Sequence, residues 1–136
     1  MVRFEVEGKV LGKPRPRVNR NGRVWTPKKF KDYEDAISRA YREAGGSLQE
    51  GTVKVEIETF RELPKSRPKR VSSEEDIFKP DVDNVAKIVL DALNGTAYED
   101  DSKVTELRVK KNPRTRRDGE VLEVKVESTS EVDGIV

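Results

Sequence analysis

The 136-residue sequence contains no cysteine and no histidine. Without cysteine it can form neither a disulfide nor a thiolate metal site, and we expect a cytoplasmic protein. Without histidine it can assemble neither a Ser–His nor a Cys–His nucleophile, and no imidazole can act as a general base. If the protein is an enzyme, its acid–base chemistry must come from carboxylates, lysine, tyrosine or a metal-activated water.

Apolar residues are also scarce, because 33% of the chain is hydrophobic and 40% is charged. No apolar run approaches the length of a membrane span, and the charged N-terminus does not resemble a signal peptide, so we expect no membrane partner. The length suits one domain and is too short for two. We predict one domain over residues 1–128 and a flexible tail over residues 129–136.

The most informative stretch is KPDVDNVAKIVLDALNGTAYEDDSKV, at residues 79–104. Its apolar side chains recur at helical spacing, which predicts a helix buried on most sides. Asp81 or Asp83 can cap the start of this helix, and Gly95 is suited to end it. The polar side chains fall within a sector of roughly 100°. The sequence therefore predicts a single polar stripe on an otherwise buried helix.

Two pairs of carboxylates flank this helix, Asp81 with Asp83 before it and Asp100 with Asp101 after it. If the loop after the helix folds back, these groups approach one another and cannot all stay ionised without a cation among them. Lys87 is one possible cation, and a divalent metal is the other. Ligands that offer only oxygen favour Mg²⁺ or Mn²⁺ over Zn²⁺.

An ordinary ion-paired helix face is the competing interpretation of the same stripe. Asp83, Lys87 and Asp91 are spaced four residues apart, which suits pairs worth about 0.2–0.5 kcal/mol each. Against this interpretation, Asp91 lies near the end of the helix, where the helix dipole disfavours an anion. The spacing alone leaves both interpretations open.

Positive charge is concentrated in two segments. Residues 8–31 hold nine Lys or Arg and no acid, and their prolines and Asn21-Gly22 predict an extended arm with a turn. Residues 108–117 form a second basic segment. We predict that both contact phosphates, with a solvated flexible loop as the alternative for the arm. The predicted contacts are Lys13, Arg15, Arg17, Arg20, Arg23, Lys110, Lys111, Arg114, Arg116 and Arg117.

The rest of the chain predicts the fold. Alternating apolar residues indicate strands near the N-terminus and at residues 53–60, 104–109 and 121–126. A further helix is predicted between Thr26-Pro27, a cap followed by a first-turn proline, and the Gly45-Gly46 stop. The order β-α-β-α-β-β predicts an α+β domain with one mixed four-stranded sheet and two main helices.

The last two strands are predicted to form a hairpin, with Asp118-Gly119 at its corner. In the first of them, Val104 and Leu107 are out of phase. This mismatch predicts a bulge or a shifted start.

The stretch at 79–104 resembles the RusA family of Holliday-junction resolvases, small endonucleases of bacteria and prophages. It carries a KPD-x-DN opening, a lysine four residues after the second aspartate, a DALNG helix end and a Tyr-x-Asp-Asp loop. The basic Pro-rich segment, Pro64-Lys65-Ser66 and the closing strands agree as well, so the resemblance covers roughly residues 1–128. The acidic run Glu74-Glu75-Asp76 departs from the family pattern and could alter the approach of DNA.

The resemblance implies which residues form the site. Asp81, Asp83 and Asp101 correspond to three aspartates that bind the metal ions needed for cleavage, and Lys87 to a lysine that supports catalysis. Asp91 and Asp100 also match the pattern and are second-tier site residues. The resemblance further implies a RusA-like fold and a homodimer acting on a four-way junction, with both active sites on one basic face.

The expected function is a Mg²⁺-dependent DNA endonuclease, with Mn²⁺ as a possible substitute. It would resolve Holliday junctions by paired phosphodiester hydrolysis in DNA recombination and repair, and the basic residues would make binding to branched DNA weaken steeply with salt. Two alternatives remain open. One is a non-catalytic protein that binds branched DNA, and the other is a Mg²⁺-dependent enzyme acting on nucleotides or small phosphates.

Overall fold

The structure is a computed structural model, and it describes residues 1–15, 17–18 and 20–129, with the backbone alone for residues 17, 18 and 24. In chain order its elements are β1 (Val2–Glu7), β2 (Arg17–Val18), β3 (Val24–Trp25), α1 (Lys28–Glu43), β4 (Val53–Phe60), β5 (Ser73–Glu74), α2 (Val82–Leu93), a 3₁₀ turn (Asp101–Lys103), β6 (Val104–Lys111), β7 (Arg114–Thr115) and β8 (Val121–Ser128). The long elements keep the predicted order β-α-β-α-β-β.

The four long strands form one mixed sheet in the order β1-β8-β4-β6. Strand β4 pairs antiparallel with β8 and parallel with β6. Alternate residues of β4, Val53, Val55 and Ile57, are fully buried in the core that the sheet shares with the two helices. The other face of the sheet carries charged side chains, since successive residues of a strand point to opposite faces. The predicted α+β fold is confirmed.

The predicted hairpin of the last two strands is wrong, because β4 lies between β6 and β8. Residues 112–120 instead cross the end of β4, where Asn112 N–H donates to the carbonyl of Thr59 at 3.1 Å. Strands β4 and β8, whose apolar faces are buried, both take central positions in the sheet. A local turn signal does not reveal this strand order. The predicted irregularity in β6 is confirmed, since the register with β4 shifts between Val53 and Lys54.

Both main helices end at the predicted glycines. Helix α1 is followed by Gly45 at φ +90° and α2 by Gly95 at φ +76°, a left-handed conformation that glycine adopts without strain. The start of α1 differs from the prediction, because Pro27 and not Thr26 is the N-cap, with no side-chain hydrogen bond. Pro27 has an extended backbone at ψ 140°, so the first helical residue is Lys28.

The remaining short strands organise the two irregular segments. Strands β2 and β3 pair antiparallel, which gives the predicted arm its turn at Asn21-Gly22. Strand β5 pairs with β7 and ties residues 61–80 to the segment that crosses β4. Among the described residues, no helix combines the length and the apolar character needed to cross a bilayer. From residue 130 onwards, the predicted tail lies outside the described residues.

Candidate active site

A cleft of about 680 Å³ opens where the start of the arm crosses the N-terminus of α2. Asp81 and Asp83 line it together with residues 9–15, Phe30, Arg61 and residues 79–80. The cleft therefore places two carboxylates opposite several cations. These cations are Lys9, Lys13, Arg15, Arg61 and Lys79.

The arm is held against α2 by very close backbone contact. Lys13 N–H donates to the carbonyl of Asn84 at 2.8 Å. A Cβ on Gly12 would lie 2.6 Å from Cβ of Pro80 and 3.0 Å from Cβ of Asn84, closer than packed atoms tolerate. Glycine at position 12 thus allows the approach that forms one wall of the cleft.

Asp81 and Asp83 project from the first turn of α2. Asp81 is the N-cap, and its backbone carbonyl accepts from Val85 N–H at 3.0 Å, while its side chain makes no capping hydrogen bond. Both aspartates are exposed. Within the described part of the chain, neither carboxylate takes part in an ion pair. The two carboxylates are therefore available to a cation from outside the protomer.

Lys87 and Asp91 belong to an ion-pair network further along α2. Lys87 Nζ lies 3.6 Å from Asp91 Oδ2, and Lys13 Nζ lies 3.2 Å from the same oxygen. Lys13 also contacts Glu34 of α1 at 3.0 Å. The pKa of Lys13 is raised: burial opposes the charged form, but the hydrogen bonds that its ammonium donates to Glu34 and Asp91 outweigh this effect. This part of the polar stripe on α2 is therefore an ion-paired helix face, which was the competing interpretation of the sequence. The side chain of Lys87 is 63% exposed and stays accessible.

Asp100 and Asp101 lie at the opposite end of α2. Asp100 caps the 3₁₀ turn by accepting from Ser102 N–H at 3.0 Å, and its hydrogen bonds with Ser102 lower its pKa. Both carboxylates act electrostatically on Tyr98, whose pKa is raised first by burial and then by Asp101, Asp91 and Asp100. The Tyr98 hydroxyl in turn donates to the carbonyl of Leu90 at 2.9 Å. Asp101 is thus placed beside the C-terminal half of the helix.

The structure brings Asp81 and Asp83 together and leaves Asp101 apart from them. The ten residues from Asp81 to Asp91 span about 15 Å along a helix, and Asp101 is close to the Asp91 end. Within one protomer, the residues described here include no group of three or more His, Cys, Asp or Glu side chains able to hold a metal ion. The three-aspartate metal set remains a prediction, with two members adjacent in the protomer.

The predicted phosphate contacts fall into two groups. Arg15, Arg20, Arg23 and Lys110 are exposed, and only the backbone of Arg17 is described. Partners inside the protein are identified for five of the predicted contacts. Lys13 contacts Glu34 and Asp91, and Arg114 contacts Glu74. Lys111 contacts Asp76 and the carbonyl of Phe78. Arg116 donates to the carbonyls of residues 67, 68 and 71, while Arg117 donates to the carbonyl of Gly119 and lies over the ring of Phe60.

The acidic run before α2 is part of the framework of the site, a role that the sequence analysis missed. The buried carboxylate of Asp76 accepts from Arg61 Nη1 at 3.0 Å and 3.2 Å and from Phe78 N–H at 3.4 Å. Glu74 binds Arg67 at 3.0 Å and also contacts Arg114. These pairs anchor the segment that leads into Asp81. The only signal in the sequence is that an acidic run follows a basic segment, and this signal is weak because it does not reveal partners 7 to 40 residues away.

Comparison with known proteins then identifies the family. The family profile described as "Endodeoxyribonuclease RusA" matches residues 7–127. The chain belongs to the RusA endodeoxyribonuclease family. It is also 35% identical over 124 residues to a Bacillus subtilis (strain 168) protein named "Uncharacterized protein YqaN", a match that covers 81% of this chain and 86% of that protein. RusA membership makes the protein a member of a nuclease family, as the resemblance at residues 79–104 implied.

Proposed function

We propose that the protein is a divalent-metal-dependent endonuclease that resolves four-way DNA junctions by paired phosphodiester hydrolysis in recombination and repair. The observation that supports this best is the cleft, in which Asp81 and Asp83 face a basic wall. A DNA strand would bring a phosphate into this cleft, and the basic residues would neutralise the charge of the strand. The phosphate and the two carboxylates are all negative, so a cation must lie among them. DNA as the substrate also agrees with a cytoplasmic location.

The two carboxylates suit a hard cation. Both are exposed in the first turn of α2 and offer oxygen alone, which favours Mg²⁺, with Mn²⁺ as a substitute. Such an ion would polarise the scissile phosphate and acidify the attacking water. Asp81 and Asp83 would orient it, and the exposed ammonium of Lys87 would stabilise negative charge that develops on the phosphate.

We assign the third carboxylate of the set, Asp101, to a second protomer of a homodimer. In its own protomer it lies beside the C-terminal half of α2, and among the described residues it forms no metal-holding group with Asp81 and Asp83. Asp91 has a different role in this proposal, since it neutralises Lys13 and Lys87 and holds them in place. Asp100 fixes the turn that presents Asp101.

Contact with the junction arms is proposed for the exposed basic residues around the cleft. Arg15, Arg20 and Arg23 of the arm and Lys110 of β6 are the residues most able to reach phosphates. Lys13, Lys111 and Arg114 already neutralise buried or half-buried acids, so their contribution to DNA binding would be indirect. Junction shape would supply the selectivity, because phosphate contacts carry no sequence information directly.

The test is incubation of an end-labelled four-way junction with wild type and with Asp83→Asn, in Mg²⁺, in Mn²⁺ and in excess chelator. We expect symmetric paired nicks from wild type with either metal, and none from the variant or with chelator. Asp83→Asn should bind the junction at least as tightly as wild type, because it removes a charge that repels phosphate. Asp32→Asn, an exposed acid on α1, is the matched control and should cleave normally.

The results also separate the two alternatives. Retardation of the junction by wild type without nicking in either metal would indicate a non-catalytic binder of branched DNA. No retardation at moderate salt would favour an enzyme acting on nucleotides or small phosphates. Full nicking by Asp83→Asn would remove Asp83 from the proposed metal set.

A further inference from the structure

Strand β6 forms one edge of the sheet and carries an unusually open apolar residue. It follows β4 at the end of the order β1-β8-β4-β6, and no described strand pairs with its other side. Leu107, in the middle of β6, is 42% exposed, and the neighbouring Thr105, Glu106 and Arg108 are exposed as well. An edge of eight residues with a central leucine offers unpaired backbone groups to another strand.

From Glu106 onwards the side chains of β6 alternate between the two faces of the sheet, because the register shift with β4 lies before this residue. Leu107 pairs with Val55 and Val109 pairs with Ile57, which are both buried beneath the helices. Glu106 and Arg108 therefore point to the outer face, since neighbouring residues of a strand alternate. A strand added to this edge must match an apolar row on the helix side and a charged row on the outer side.

We propose that two copies of this chain pair antiparallel along β6, with Leu107 on the two-fold axis. In this register Leu107 lies opposite its own copy on the helix side of the sheet. On the outer side Glu106 of each copy lies opposite Arg108 of the other. Over residues 104–110 the pairing therefore contains two opposite-charge pairs and no like-charge pair, which favours association across strands.

Neighbouring registers lack this complementarity. Pairing centred between two residues would place a helix-side residue opposite an outer one, so the axis must pass through a residue. An axis through Glu106 or through Arg108 sets that residue against its own like charge. An axis through Val109 sets Arg108 against Lys110, twice. Of the registers centred on residues 106 to 109, the one centred on Leu107 is therefore the one without opposed like charges at the centre of the strand.

This surface deepens the proposed function, which requires a second copy, by stating where that copy docks. Antiparallel pairing sets the beginning of one β6 beside the end of the other. Asp101 lies just before β6, while Lys111, at its end, donates to the carbonyl of Phe78, three residues before Asp81. The pairing therefore brings Asp101 of one copy toward the end of the sheet where Asp81 of the other copy lies.

The absence of cysteine allows a direct test by crosslinking. Directly opposed residues of antiparallel strands have Cα atoms about 4.5–5.5 Å apart, within the range that a disulfide spans. Leu107→Cys should therefore oxidise to a covalent dimer at least about tenfold faster than Leu48→Cys, because paired thiols share a high effective concentration. Leu48 is 47% exposed and lies outside β6, which makes it a matched control. Equal oxidation rates would overturn the proposal.

A charge test checks the register without DNA or metal. Glu106→Arg alone and Arg108→Glu alone each create like-charge pairs, so each dimer should dissociate with a constant at least about 30-fold above wild type. Mixed in equal amounts, the two variants should form a heterodimer, because every opposed pair is then opposite in charge. Sedimentation measures all three species against the monomer mass of 15.5 kDa.

The proposal would also be overturned if the mixed variants failed to associate. It would equally be overturned if the wild-type chain stayed monomeric at about 100 µM, which is well above the micromolar range of ordinary stable complexes. Because no nuclease activity is measured, these outcomes are independent of whether the protein cleaves junctions. Melting curves of each variant confirm that the exposed substitutions leave the protomer folded.

Discussion

Replacement of Asp76 by asparagine tests whether the acidic run before α2 stabilises the site. The Asp76 carboxylate is 0% exposed, and its partner Arg61 is 11% exposed. Asparagine keeps the shape of the side chain but removes its charge, which leaves Arg61 and the nearby Lys111, 3.8 Å away, without their anion. Breaking a buried pair in this way costs about 3–5 kcal/mol. Glu120, 3.7 Å from Arg61 Nε, offers partial compensation, so we expect a loss of about 3 kcal/mol.

The measurement is chemical unfolding followed by circular dichroism, with the free energy of unfolding compared at constant m-value. A loss of this size should also lower the melting temperature by about 10 °C in a domain of this length. Glu75→Gln is the control, since Glu75 is exposed and has no ion pair among the described residues. It should change stability by less than about 0.5 kcal/mol. If Asp76→Asn falls within about 1 kcal/mol of wild type, the buried pair does not anchor this segment.

Two further changes test the cleft wall and the second acid of the insert. Gly12→Ala should lower the free energy of unfolding by about 1–3 kcal/mol, because the alanine Cβ would lie 2.6 Å from Cβ of Pro80. An unchanged midpoint of urea unfolding would contradict this close packing. Hydrogen bonds from Arg67 and then Arg114 lower the pKa of Glu74 below its ordinary value of 4.5. The ionised carboxylate therefore stabilises the fold above about pH 4.5 and loses this contribution as the pH falls through the lowered pKa. The difference in free energy of unfolding between wild type and Glu74→Gln should be constant near pH 6–7 and shrink toward pH 3. A difference that grows as the pH falls would show that the pKa of Glu74 is raised and not lowered.

The sequence by itself determined the elements and the family. Helical periodicity marked α2 and its polar stripe, and glycine marked its end at Gly95, because these signals depend on residues within one or two turns of each other. The KPD-x-DN and Tyr-x-Asp-Asp motifs carried the family resemblance that the match to residues 7–127 bears out. Alternation likewise marked the long strands, since burial of one face imposes a period of two.

Only the tertiary structure decided which distant groups meet. It placed β4 between β6 and β8, and it paired Lys13 with Glu34 and Asp91, which are 21 and 78 residues away. It also placed Asp101 beside the C-terminal half of α2, whereas Asp81 caps the start of that helix. Local patterns determine which face of its own helix or strand a side chain occupies. Contacts between separate helices and strands depend instead on the strand order and on the crossover connections. The same basic residue can therefore face DNA or neutralise a buried acid, and its immediate neighbours in the sequence do not distinguish the two.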